Sequence, residues 1–277
     1  MFFGLGYMLG PALGAFLYEV GGFTLPFVIV GSIGIVVATS LLFVIPNVKV
    51  DERTVADKTL TLMDIAKSPA IFLPFLDLLV CFFGNGMIAS MLEPHLSEAG
   101  ADSTQVGFTF LIFGAVFMVS APLAGFLCDK LPYPSLVSVL GNVILATAFI
   151  FLGPIPSINI TPSWQSITTS TAFVALGYGA VMVSTFGRAQ GAATRQGFSQ
   201  DIDTYLLISG MWQSSFYFGN FLGPTIAGFL VDAYGFRKAS IVFFSLFVAV
   251  VFVDLGELAY NVKKRQNKRS NEYHSLE

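Results

Sequence analysis

The chain has 277 residues, of which 55% are hydrophobic and only 11% are charged, and its net charge is −3. A soluble domain draws about 25% of its residues from the charged set and needs them for its skin, so this composition excludes a soluble fold and places the chain in a bilayer. The acidic balance argues against a nucleic-acid partner, and two cysteines cannot build a disulfide framework or a metal cluster.

Lysine and arginine are absent from 1–48, 68–129, 131–187, 196–236 and 239–262. A helix needs about 20 apolar residues to cross the hydrocarbon core. The first three gaps therefore hold two crossings each and the last two hold one each. The predicted spans are 2–18, 24–45, 70–92, 105–128, 135–153, 166–187, 204–231 and 238–258. Glycine, proline and polar residues mark the breaks: Gly21-Gly22, the 47–68 linker, Pro94, Leu131-Pro132-Tyr133-Pro134, Pro154 through Pro162, and Gly235. The apolar runs are continuous rather than alternating, which rules out a β-barrel. The fold class is all-α, a polytopic membrane helical bundle.

With the N-terminus in the cytoplasm, that side holds Lys49, Arg53, Lys58, Lys67, Lys130, Arg188, Arg195, Lys263, Lys264, Arg265, Lys268 and Arg269. The far side holds only Arg237 and Lys238, so the cation bias fixes the orientation. The Asn159-Ile160-Thr161 glycosylation sequon then lies on the far side, in a short loop. Met1-Phe2-Phe3 enters a span directly, without the charged leader of a signal peptide.

An offset of 213 residues lays the first span on the seventh. Gly6, Gly10, Pro11, Gly22 and Phe23 then meet Gly219, Gly223, Pro224, Gly235 and Phe236, and Glu19 meets Asp232. Glycines, a Gly-Pro pair and a terminal acid in register mark an internal repeat of the kind from which two-half transporters are built. Six spans separate the copies, so the expected parent is six plus six helices, of which this chain holds the last eight. The division is then 1–46 (two helices of the first half), 47–68 (a charged, amphipathic cytoplasmic linker with Leu60, Leu62 and Ile65), 69–260 (a six-helix half) and 261–277 (a cytoplasmic tail).

Gly6, Gly10 and Gly14 recur every four residues and leave a bare stripe for a neighbouring helix, while Pro11 removes a backbone hydrogen bond and can bend the helix. This run, Gly6-Tyr7-Met8-Leu9-Gly10-Pro11-Ala12-Leu13-Gly14, resembles the antiporter motif in the fifth helix of the major facilitator superfamily. Gly125, Asp129 and Lys130, at the turn after span four, are similar to that superfamily's gating loop, with Leu131-Pro132-Tyr133 where the loop has a glycine and a basic pair. Met91-Leu92-Glu93-Pro94 in span three resembles the seventh helix of the vesicular amine transporters, where an acid recognises the amine. The resemblance covers Met1 to about Tyr260. It implies the major facilitator fold, with eight of twelve helices, and proton-coupled antiport of organic cations into acidic vesicles. Both termini of the full-length architecture would be cytoplasmic, and a proton gradient would serve in place of any cofactor. The monoamine and acetylcholine branches carry acids in the tenth helix and in the cavity part of the eleventh. Span six has none, and Gln213 stands at the eleventh-helix position, which points to the polyamine branch.

A carboxylate in hydrocarbon costs about 2.5–3.5 kcal/mol even on lenient scales, so each acid inside a span needs a reason. Glu93 lies in the far third of span three, and no lysine or arginine occurs in spans three, four or five. Facing a cavity, it would hold a proton or an organic cation by turns; at the interface, it would simply be hydrated. Asp77, two turns into the same span, is either a second proton-coupling site or a group that reaches water or a helix end. Asp254 and Glu257 read as surface ion-pair residues beside the basic tail, and Arg188 as a loop cation. Asn85, Tyr178, Tyr205, Trp212, Gln213, Tyr217 and Asn220 are the candidate cavity residues, of which Gln213, Tyr217 and Asn220 form a polar stripe. His95 and His274 are too isolated for a metal site. No nucleophile–base pair, phosphate loop or zinc spacing appears, so the chain does not read as an enzyme. The expected partners are a small organic cation, protons and the lipid bilayer. A drug exporter of the same superfamily, a non-transporting truncated isoform and a membrane receptor or scaffold are the alternative readings.

Overall fold

The computed structural model describes residues 2–44, 59–153 and 162–274, and all regular structure among them is helical. The helices are α1 (Phe2–Gly21), α2 (Thr24–Val44), α3 (Leu62–Lys67), α4 (Pro69–Glu98), α5 (Ser103–Lys130), α6 (Ser135–Leu152), α7 (Trp164–Arg195), α8 (Ile202–Tyr234) and α9 (Phe236–His274). The eight predicted spans correspond to α1, α2 and α4 to α9. Six of these, α2, α4, α5, α6, α7 and α9, are long and apolar enough to cross a membrane. The sequon at Asn159 and most of the 47–68 linker lie outside the described residues.

Helix ends follow local chemistry. Reciprocal capping boxes start three helices: Thr61 with Asp64 at α3, Asp102 with Gln105 at α5, and Ser163 with Ser166 at α7. Asp201 caps α8 by accepting from the Thr204 N–H at 2.8 Å. Gly22 and Gly235 follow α1 and α8 with φ of 66° and 79°. Each donates its N–H to the carbonyl four residues back, Tyr18 and Val231, at 2.8 Å. The 213-residue repeat therefore holds in backbone geometry as well as in residue type.

Several elements outrun their predicted spans. Hydropathy marks the hydrocarbon segment, whereas the backbone hydrogen bonds of α4, α7 and α9 continue past it. α9 is 39 residues long, about 58 Å at 1.5 Å per residue, so the segment read as a tail is helical as far as His274. Gly125, Asp129 and Lys130 stand in the last turns of α5 instead of a turn beyond it, and Lys130 lies 4.4 Å over the Phe126 ring.

α4 and α7 pack together, with α8 against α4 and α5 against α7, while α6 and α9 join behind them; α1 lies against α5 and α2. Aromatic and aliphatic side chains fill this bundle, among them Phe82, Met87, Phe149, Tyr178, Phe243 and Phe247. The closest crossing is α4 on α8. A methyl group added at Gly86 would come within 2.7 Å of Gly223 Cα, and one at Gly219 within 2.9 Å of Phe83 N. On α1 the contact with α5 runs through Gly4, next to the Met118 backbone; nothing described lies within 4 Å of where side chains at Gly6, Gly10 and Gly14 would begin. At the other end of the linker, Leu60 and Ile65 are buried against Ile71, Phe75, Ala189 and Ile208, while Leu62 is exposed. The linker thus ends anchored under α4, α7 and α8.

Candidate functional site

Four helices bring their polar residues to one point inside the bundle. Arg188 of α7 donates from Nη1 to Asp77 Oδ2 of α4 at 2.8 Å and from Nη2 to Asp254 Oδ1 of α9 at 2.6 Å. Its Nη2 also donates to Glu257 Oε2 of α9. Asn142 of α6 donates from Nδ2 to Asp77 Oδ1 at 2.9 Å and to Asp254 Oδ2 at 3.1 Å, which closes the ring. Arg188, Asp77, Asp254 and Glu257 are 3%, 2%, 1% and 9% exposed. Glu257 Oε1 also accepts from Ser135 Oγ at 3.5 Å and Asn261 Nδ2 at 3.4 Å.

This cluster corrects three readings of the sequence. Arg188 is not a loop cation, because α7 continues for seven residues past it and turns its guanidinium inward. Asp254 and Glu257 are not surface ion-pair residues; the rotation of α9 directs them into the bundle. Asp77 reaches neither water nor a helix end but an arginine from another span. Taking such charges out of water is costly unless each is paired and hydrogen-bonded, and here one cation serves three acids. Two buried atoms of the ring, Arg188 Nε and Asn142 Oδ1, have no hydrogen-bond partner among the described residues.

The second feature is a crevice of about 590 Å³ between α7 and α8. Phe186, Tyr205, Trp212, Phe216 and Tyr217 supply aromatic walls, and Gln213 and Ser209 supply polar groups. Behind it Phe216 packs on Phe82 of α4, ring centroids 4.2 Å apart, and Phe82 stacks on Tyr178. Trp212 Nε1 donates to Thr185 Oγ1 at 3.3 Å, less than one turn of α7 from Arg188.

The predicted site residues divide between these features. Gln213 and Tyr217 line the crevice. Asn85 and Asn220 do not; they bond each other across α4 and α8, Nδ2 to Oδ1, at 2.9 Å, with Asn85 buried. Glu93 is exposed instead of buried, and it forms no ion pair among the described residues. Eleven residues, three helical turns, separate it from Phe82, so the two share a face of α4 about 16 Å apart. Asp77 joins the charge cluster. The cluster had a signal in the sequence: three acids inside or near the ends of their spans, and no proline near Arg188 to end its helix. What brings these groups together is the order of helix packing.

Comparison with known proteins agrees with this architecture. The family profile of the Major Facilitator Superfamily matches residues 1–202, through the first seven helices. The chain is similar to a human protein, MFS-type transporter SLC18B1, at 28% identity over 281 residues, covering 99% of this chain and 59% of that protein. The mouse and rat proteins of the same name are each 29% identical, covering 87% of this chain and 52% of theirs. The chain thus spans between half and three-fifths of the length of these relatives. With its paired helices, its 213-residue repeat and a profile match over most of its length, this multi-pass membrane chain belongs to the Major Facilitator Superfamily.

Proposed function

We propose that this protein is a proton-coupled antiporter that moves organic cations, polyamines in particular, into acidic vesicles. The observation that supports this most directly is the crevice between α7 and α8: five aromatic side chains and Gln213 line it, and no lysine or arginine is among its lining residues. Aromatic faces without a competing cation attract an ammonium group through the ring quadrupole. Glu93, on the α4 face that carries Phe82, would supply a carboxylate about 16 Å further toward the far side. A chain of methylene-linked ammonium groups can use both places at once, whereas a compact monoamine can use only one. In the cycle, deprotonated Glu93 would hold an ammonium taken from the cytoplasm, and protonation from the acidic lumen would release it. That the human, mouse and rat relatives are MFS-type transporters supports the transport reading.

The test is uptake of labelled spermine and serotonin into proteoliposomes with an acidic interior, for the full-length protein and its Glu93→Gln variant. Spermine uptake exceeding serotonin uptake, with a fall of about tenfold in the variant, is the expected result. Undiminished transport by Glu93→Gln removes that residue from the mechanism. Preference for serotonin or for bulky drugs removes the polyamine.

A further inference from the structure

We propose that Asp77, Asp254 and Glu257, gathered on the guanidinium of Arg188, form a proton-carrying centre separate from the amine-facing groups. This rests on the transport reading above and adds, to the proton that displaces the amine at Glu93, a second coupled proton held at this cluster. The charge count is the first argument. Three buried acids face one buried base, a formal surplus of two negative charges inside a bundle of apolar helices. A proton relieves such a surplus without needing space or a coordination shell.

Asn142 is the second. Its Nδ2 already serves both Asp77 and Asp254, and its Oδ1 is a buried acceptor without a hydrogen-bond partner among the described residues. An acid beside it that takes up a proton gains an O–H that Asn142 Oδ1 can accept. Adding the proton forms one carboxyl O–H bond and ends one ion pair to Arg188, which keeps its own charge. No other reactant is needed.

The surroundings set the routes to and from the cluster. Toward the cytoplasm, Glu257 meets Ser135 and Asn261. In the other direction α4 carries Cys81 and Asn85 at successive turns above Asp77, ending at the bond to Asn220 of the crevice helix. α6 and α7 present hydroxyls, Ser138 and Ser184, 2.7 Å apart. The other titratable groups near the cluster are Cys81, within electrostatic reach of Asp77, and Cys128 of α5, within reach of Arg188. Coupling to the crevice is short: on one turn of α7, Arg188 holds the acids and Thr185 holds Trp212. Loss of an ion pair from Arg188 to α4 or α9 frees α7 to shift, and the wall of the crevice shifts with it.

The experiment separates driving from carrying. Full-length protein in proteoliposomes is assayed for spermine accumulation under an inside-acid gradient, and for exchange of labelled against unlabelled spermine at equal pH. Asp77→Asn and Asp254→Asn are expected to lose accumulation by about tenfold or more while exchange stays within about twofold of wild type. Wild-type accumulation in both variants overturns the proposal, as does equal loss of both activities in protein of normal yield and melting. If the Asn variants do not fold, Asp254→Glu decides. A pH profile of accumulation moved by about half a unit or more supports the proposal, and an unmoved profile overturns it. Wild-type protein that neither accumulates nor exchanges spermine defeats the transport reading itself, and that failure is recognisable because no mutation is involved.

Discussion

Gly86 of α4 and Gly223 of α8 meet backbone to backbone, so that a methyl group on Gly86 would stand 2.7 Å from Gly223 Cα and 2.6 Å from Pro224 Cδ. Neither neighbour is the free end of a flexible side chain, so the helices themselves must separate. Gly86→Ala is expected to destabilise the protein by about 1–3 kcal/mol, the usual cost of overpacking. The check is a lower melting temperature in detergent. Gly210→Ala on α8, where a side chain would meet nothing within 4 Å, serves as the control and should melt no lower than wild type.

The same crossing shows how far the sequence could be read. Glycine spacing marks Gly6, Gly10 and Gly14 as the stripe for a neighbouring helix, where nothing described approaches within 4 Å. The close approach of α4 falls instead on Gly219 and Gly223, the repeat partners of Gly6 and Gly10. The spans were legible because cations cannot be spent inside hydrocarbon, and the gaps between them count the helices. Rotation was not legible. Glu93 and Asp77 both read as intramembrane acids on one helix, yet one is exposed and the other is 2% exposed. At 3.6 residues per turn their spacing puts them on nearly opposite faces of α4. What the sequence does not say is which face is covered, and α7 and α9 cover that of Asp77, α7 bringing Arg188 to it. Arg188 was misplaced because hydropathy ends a span where apolar residues stop, while a helix ends where its hydrogen bonds and caps stop.

Removing Arg188 leaves three buried acids without a cation. Arg188→Met should cost about 3–5 kcal/mol, the range for breaking a buried pair from one side, and should sharply reduce the yield of folded protein. Neutralising its partners as well, in Arg188→Met combined with Asp77→Asn and Asp254→Asn, should restore much of the loss. Melting temperatures of the two proteins provide the check. A triple variant no more stable than the single one would mean that the arginine acts through packing and not through charge.

The Asn85–Asn220 bond ties the α4 turn above Cys81 to the crevice helix. Hydrogen bonds between membrane helices couple by about 0.6 kcal/mol on average and up to about 1.7 kcal/mol. A double-mutant cycle of Asn85→Ala and Asn220→Ala on thermal unfolding should return a coupling in that range, and additive losses would show that the bond carries no net energy. Asn220 also donates from Nδ2 to the Phe216 carbonyl at 3.0 Å, so its single substitution removes that bond as well.

The crevice residues should sort by how much ring face they offer an ammonium group. Tyr217 is 62% exposed, and cation–π contacts at such places contribute about 0.5–1 kcal/mol, so Tyr217→Ala should weaken apparent spermine affinity by about two- to fivefold. Tyr217→Phe keeps the ring and should stay close to wild type. Trp212 is more enclosed, stacked on Phe216 with centroids 6.2 Å apart and set edge-on to Phe186 at 6.0 Å. A desolvated contact there is worth about 2 kcal/mol, so Trp212→Ala should cost roughly thirtyfold. Trp212→Phe should retain most of the affinity while losing the bond to Thr185. Concentration dependence of labelled spermine uptake measures all four. Equal losses for the Phe and Ala variants at both positions would mean that the hydroxyl and indole N–H, and not the ring faces, hold the substrate.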